Sequence, residues 1–250
     1  MENVRKMKIR YLGREFEVIS NNQLPGTDEA IEEKRRVNQI ISKVLQPQDI
    51  VIDAFAGYGL STFIWASRCK VIAIERDKEV FSCLAKNFKN YTNVTCLKGN
   101  NISILKTITK SPDIRLIDLD PYANCYKQIP LALDLLDNGI LLVTSGEVMS
   151  LYRRLNLKRY GNIEKYKGYA NFYRFPQEVL FEKYIKGECE KRSKRCELVY
   201  YYVYPTSARM VITVGDFKFS PEILAELGPS PKFLGWVRKK VNQNNIFKYI

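Results

Sequence analysis

Apolar and polar positions along this chain alternate in two rhythms, one helical and one extended. "KIRYLGREFEVIS", residues 8 to 20, predicts a short hairpin turning near Gly13. Over residues 27 to 45, Val37, Ile40, Ile41, Val44 and Leu45 recur at helical spacing behind Thr27 or Asp28 as a cap, and Pro47 ends the run. A regular alternation follows. "DIVIDAF", "KVIAIE", "NVTCL", "IRLIDL" and "GILLVTS" predict strands, separated by helices over 58–68, 77–90, 101–109 and 124–137. The strands are short, branched and almost continuously apolar, as strands buried on both faces are. Strands alternating with helices imply a parallel sheet covered on both sides. Residues 146–176 break the rhythm with Arg, Lys, Tyr and Gly, and a helix is predicted over 177–187. "ELVYYYVYP" and "ARMVITVG" then face each other across "TS", a connection too tight for a crossover, so they predict an antiparallel hairpin. Residues 216–250 form a basic tail with helical pieces.

Composition narrows the chemistry. The 250 residues allow one large domain, or one with a smaller appendage, and 46% hydrophobic content suits a globular core. No apolar run approaches the roughly 20 residues of a membrane span, and "MENVRKMKIRYLGREFEV" has no apolar signal region, so a cytoplasmic location is expected. A net charge of +13 fits either a Lys-rich soluble surface or a polyanionic partner. The sequence has 0 histidines, which removes Ser-His-Asp and Cys-His catalysis and every His-ligand metal site. None of the 6 cysteines forms a C-x-x-C pair, so no metal is expected. Most cysteines read as small core residues, while Cys189 and Cys196, flanking a basic run, are also placed to form a disulfide in a hot organism.

The candidate chemistry lies at the predicted carboxyl ends of the parallel strands, where open α/β sheets bind ligands. In "VIDAFAGYGLSTF", Gly57 and Gly59 let the backbone turn tightly and approach a ligand as the first of these strands enters its helix. A dinucleotide fingerprint wants a third glycine where Thr62 stands. Glu75 closes the next strand, where an acid can accept both hydroxyls of a ribose. In "KGNN", Asn100 either reads an adenine edge or caps the following helix. In "LIDLDPYANC", period-two alternation puts Asp118 and Asp120 on one side of their strand. Pro121 removes a backbone donor and stops the strand, and Tyr122 offers a flat face that stacks on a base.

This arrangement resembles a class I S-adenosylmethionine-dependent methyltransferase over roughly residues 48–215. The resemblance implies a Rossmann-like α/β fold whose parallel sheet ends in an antiparallel hairpin. It implies S-adenosyl-L-methionine as cofactor, held by Asp53, Phe55, Gly57, Gly59, Glu75, Asn100 and Asp118. Asp120-Pro121-Tyr122 is similar to the Asp/Asn-Pro-Pro-Tyr signature of enzymes that methylate exocyclic amino groups, without its second proline. The closer likeness is to the tRNA (guanine-N2) dimethyltransferase family, on "DLDPYA", "LLVTSGE" and "LKRYGN", with Ala123 where that family has glycine and without its large carboxy-terminal domain. Three parts follow: residues 1–46 as an extension on the substrate side, 47–215 as the methyltransferase domain, and 216–250 as the basic tail.

The implied catalytic residues are Asp120, Pro121 and Tyr122. An exocyclic amino nitrogen is a poor nucleophile because its lone pair is delocalised into the ring. Asp120 and the Pro121 carbonyl accept its N–H groups, which aims the lone pair and takes up a proton. Tyr122 clamps the base. "LYRRLNLKRYG", "KYKGYANFYRF" and "KRSKR" mix cations with aromatics, and Arg153, Arg154, Lys158 and Arg159, helped by the 191–195 run, are expected to hold phosphates. The expected partner is a nucleic acid, tRNA ahead of DNA. A DNA amino-methyltransferase acting on adenine N6 or cytosine N4 uses the same Asp-Pro-Tyr chemistry. A C5-cytosine enzyme requires a Pro-Cys pair, which the sequence lacks. An NAD oxidoreductase must account for Thr62, and a non-enzymatic nucleic-acid-binding module predicts no cofactor pocket.

Overall fold

The structure, a computed structural model, describes residues 6–19, 28–148, 174–204, 207–229 and 232–233. The chain opens on an antiparallel hairpin, β1 (Lys6–Tyr11) and β2 (Arg14–Ile19), which turns at Leu12 and Gly13 as expected. Helix α1 (Asp28–Ser42) follows. The alternation then runs β3 (Ile50–Asp53), α2 (Leu60–Ala66), β4 (Lys70–Glu75), α3 (Lys78–Phe88), β5 (Val94–Lys98), α4 (Asn101–Leu105), β6 (Ile114–Leu119), α5 (Gln128–Leu135) and β7 (Gly139–Ser145). A π-helical segment, α6 (Pro176–Ile185), runs into α7 (Lys186–Glu190). The hairpin β8 (Cys196–Tyr204) and β9 (Ser207–Val214) comes next, then α8 (Pro221–Leu227) and β10 (Lys232–Phe233).

The main sheet has the order β10-β8-β9-β7-β6-β3-β4-β5. Strands β3 to β7 are mutually parallel, and β9 is antiparallel to both β7 and β8. This is the Rossmann-like α/β fold of class I methyltransferases. The two-residue β10, parallel to β8, adds an edge strand where the sequence pattern suggested helical pieces. A strand that short carries no periodicity to read. Cys189 and Cys196 are both free thiols. They share a hydrogen bond that pushes the Cys189 pKa up and the Cys196 pKa down. No helix among the described residues is long and apolar enough to cross a membrane.

Each face of the sheet buries its own apolar layer. On one face Ile117, Leu119, Leu141 and Met210 pack with Ile129, Leu133, Val179 and Ile185 from the helices. On the other, Val51, Leu116, Leu142 and Val211 pack with Val37 and Ile41 of α1, Trp65 of α2 and Leu84 of α3. Side chains on one face recur every second residue. Two positions on from Val51, Leu116 and Leu142, the α1-side face therefore carries Asp53, Asp118 and Thr144. Two positions before Val211 it carries Arg209. Register aligns Asp53 with Asp118, and Thr144 with Arg209. The apolar layer thus gives way to a polar row across four strands at the carboxyl end of the sheet.

Candidate active site

The polar row is a hydrogen-bonded charge cluster. Arg209 has no exposed surface. Its Nη2 donates to Asp118 Oδ2 at 2.9 Å and to Asn38 Oδ1 at 3.0 Å. Its Nη1 donates to Thr144 Oγ1 at 2.9 Å and lies 3.6 Å from Asp120 Oδ1. The other Asp120 oxygen, Oδ2, accepts from Lys34 Nζ of α1. Burying a charge is tolerable only with partners of this kind. Burial alone would raise the Asp120 pKa, but the charges of Lys34 and Arg209 outweigh it and bring it down to about 2. Asp120 is therefore a carboxylate at any physiological pH, an acceptor only.

Asp53 is in the opposite condition. It has 1% exposure, and burial, reinforced by the neighbouring Asp118 charge, holds its pKa well above the usual carboxylate range. Thr62 Oγ1 donates to its Oδ2 at 2.7 Å. The residue that breaks the dinucleotide fingerprint thus partners the acid that ends β3. Asp53 lies beneath the glycine loop rather than open to a ligand.

The loop itself turns through left-handed backbone at Gly57 (φ 56) and Gly59 (φ 91). A Cβ on Gly59 would come within 2.2 Å of the Phe88 ring, so close packing of the loop on α3 requires glycine there. A Cβ on Gly57 would meet nothing within 4 Å, which leaves that side of the loop free to approach a ligand. Gly57 N–H donates to Glu75 Oε2 at 3.1 Å, and Asp77 N–H to Glu75 Oε1 at 2.7 Å. Glu75 is half-buried and ties the loop to the start of α3. Its carboxylate retains lone pairs for further donors. Phe55 is half-buried against the opposite core layer.

Asn100 caps α4, its side-chain oxygen accepting from the backbone N–H groups of Ile102 and Ser103. Asn101 is the amide that reaches the strand ends. It donates to Ala54 O at 3.0 Å and accepts from Gln128 Nε2 at 2.9 Å. Beyond Asp120 the chain passes buried Pro121 to Tyr122, which is 83% exposed. The backbone of Tyr122 and Ala123 lies so close to Gly146 that a Cβ there would meet Tyr122 O at 2.6 Å. The strand β7 terminus thereby props up the Asp-Pro-Tyr turn, while Tyr122 projects free.

Arg153, Arg154, Lys158 and Arg159 lie outside the described residues. The 191–195 run, expected to help hold phosphates, does not lie beside the crevice. Cys196 aligns through Val214 with Gly139, the first residue of β7, so the run lies at the amino ends of the parallel strands, the far end of the sheet. Its cations are engaged there: Lys191 with Glu188, Arg192 with Asp134 and Glu188, Lys194 with Asp137, and Arg195 with Asp216. A cavity of about 530 Å³ at that end is lined by Lys186, Lys194, Cys196 and Phe217 among others. Among the described residues, no group of three or more His, Cys, Asp or Glu is placed to hold a metal.

Residues 9–169 match the family model described as "Conserved hypothetical protein 95". The chain belongs to this family. The family match takes in Lys34, the glycine loop, Glu75 and Asp120-Pro121-Tyr122, and stops short of Arg209. No curated protein matches the sequence. Several solved structures share the fold. Trm1 from Pyrococcus horikoshii, in complex with S-adenosyl-L-methionine, is 14% identical with a TM-score of 0.68, covering 88% of this chain and 64% of that one. TYW2 from P. horikoshii, in complex with MeSAdo, is 17% identical with a TM-score of 0.60, covering 84% and 71%. The tRNA m1G37 methyltransferase of M. jannaschii is 15% identical with a TM-score of 0.55, covering 87% and 59%. This chain thus spans less than two thirds of the Trm1 and m1G37 methyltransferase chains.

Three residues of the cluster, Arg209, Lys34 and Asn38, escaped the motif-based reading. Each had a signal. Arg209 is a lone charge in the apolar strand "ARMVITVG", and Lys34 and Asn38 fall on the helical stripe between Ala30 and Ile41.

Proposed function

We propose that this chain is an S-adenosyl-L-methionine-dependent methyltransferase acting on an exocyclic amino group of a nucleic-acid base, with guanine N2 in tRNA as the target. The observation that carries the reading is the Asp120 carboxylate, held between Lys34 and Arg209 at the carboxyl end of the sheet, beside an 83% exposed Tyr122 and across from a glycine loop with an open side. The fold it shares with proteins crystallised with S-adenosyl-L-methionine or its derivative, and with a tRNA methyltransferase, supports it.

The residues suit that cofactor. The open side of Gly57 allows a close backbone approach, and Glu75 accepts ribose hydroxyls while keeping its backbone donors. When bound, the cofactor supplies a methyl group on a sulfonium, already activated for transfer. The protein's task is then positioning. Tyr122 stacks on a base withdrawn from its neighbours. Asp120 accepts one amino N–H and the Pro121 carbonyl another, which turns the nitrogen lone pair out of the ring. As the N–C bond forms and the S–C bond breaks, the nitrogen gives up its proton to the Asp120 carboxylate and on to solvent. Asp118 acts through Arg209, which it shares with Asp120. Arg153, Arg154, Lys158 and Arg159 hold phosphates, so that affinity falls with salt.

The test is methyl transfer from labelled cofactor to total tRNA, duplex DNA and single-stranded DNA, followed by nucleoside mass spectrometry. N2-methylguanosine in tRNA is expected, and Asp120→Ala should slow transfer by about 10²–10⁴-fold, the scale of general-base catalysis. Methylated adenine or cytosine in DNA with tRNA unmodified would replace the RNA target. Calorimetry finding no affinity for S-adenosylmethionine would remove the enzyme reading altogether.

A further inference from the structure

Both oxygens of Asp120 are engaged. The inner one, Oδ1, faces the fully buried Arg209 at 3.6 Å. The outer one, Oδ2, accepts from Lys34 Nζ. The Lys34 and Asp120 side chains keep 29% and 21% of their exposure, so the Lys34 end of the pair is the end open to a substrate. A base amino group donating to Asp120 from the open side competes with the Lys34 ammonium for Oδ2. Resting on the methyltransferase reading above, we propose that Lys34 is a specificity-determining residue. It occupies the outer oxygen of Asp120 until a phosphate-bearing substrate draws its ammonium away.

The physical argument is an exchange of ion pairs. Lysine carries a compact charge on a flexible four-carbon stem, so Nζ can swing several ångströms without moving α1. Leaving Asp120 unaided costs the pair its attraction in a partly desolvated site. A free nucleoside brings an amino group but no anion to receive the ammonium. A polynucleotide brings both, and the phosphate beside the extruded base offsets the broken pair. Lys34 thereby discriminates against monomers that carry the right base. Arg209 cannot play this part, because its guanidinium is fixed by Asp118, Asn38 and Thr144 with no exposed surface.

The test compares wild type with Lys34→Ala and Lys34→Gln, measuring kcat/KM for total tRNA and for free guanosine. In both variants the ratio of nucleoside to tRNA activity should rise about tenfold, the scale of one charge pair's discrimination. Equal changes on both substrates would overturn the proposal, since a residue that only supports Asp120 affects both alike. A second measurement needs no turnover. The Lys34 Nζ resonance, assigned by its loss in Lys34→Gln, is followed by ¹⁵N NMR in the presence of S-adenosylhomocysteine. It should shift on adding tRNA and stay put on adding guanosine. An unchanged resonance with tRNA overturns the proposal whether or not methyl is transferred. Failure of the methyltransferase reading looks different: the resonance moves, but no labelled methyl enters any nucleic acid.

Discussion

Arg192 and Arg209 each bridge two carboxylates, at opposite ends of the same sheet. Arg192 lies 2.7 Å from Asp134 and 2.8 Å from Glu188. Arg209 lies 2.9 Å from Asp118 and 3.6 Å from Asp120. What separates them is water. Asp134 keeps 56% of its side-chain exposure, Arg192 21% and Glu188 12%, whereas Arg209 and Asp118 keep none. The exposed pair is screened and replaceable by solvent, and such pairs contribute little. The buried pair is held in a site where neither partner can be left alone. A count of basic residues in the sequence favours the 191–195 run. Desolvation favours the lone arginine of β9, and that is where the candidate chemistry lies.

Breaking each bridge in turn tests this contrast. The largest effect is expected from Arg209→Ala, which strands Asp118 without its cation. Unfolding by urea should show a loss of about 3–5 kcal/mol, the scale of breaking one side of a buried pair. A loss below about 1 kcal/mol would mean that the row is wetter than its burial indicates. The next effect is a pH dependence. The folded-state pKa of Asp120 lies at about 2, below its unfolded value, so the stability it gains from Lys34 and Arg209 is complete above the unfolded pKa and lost as pH falls through the folded one. Between about pH 4 and pH 2 wild type should lose about 2 kcal/mol more than Asp120→Asn, read from thermal melts across that window. Parallel curves for the two proteins would detach Asp120 from its cations. The smallest effect is expected from Arg192→Ala. It should cost less than about 1 kcal/mol and leave methyl transfer to tRNA unchanged. A fall in transfer would bring the 191–195 run back into substrate binding and dissolve the contrast.

The fold was legible because its signals are local. Five predicted strands alternate with four helices, and the two-residue connection between β8 and β9 forces an antiparallel pair. Within the site, the period-two spacing of Asp118 and Asp120 placed both on one face, since both meet Arg209. Asn100 was ambiguous because capping and ligand contact draw on the same amide, and the capping contact depends on the backbone around α4. Arg209 was out of reach of any motif, because its partners lie 91 and 171 residues away in sequence at Asp118 and Asn38. Only register across β7 brings it to the row. The 191–195 run misled because clustering is visible in a sequence while the end of the sheet it occupies is not.

The position of Arg209 on β9 also bears on how the protein is made. Strands β3 and β6, with Asp53 and Asp118, leave the ribosome well before residue 209. Until β9 docks, Asp118 lacks the guanidinium it pairs with. Docking of the hairpin is therefore the step that completes the polar row at the centre of the sheet. A chain stopped short of β9 leaves the β7 edge unpaired and Asp118 without its arginine.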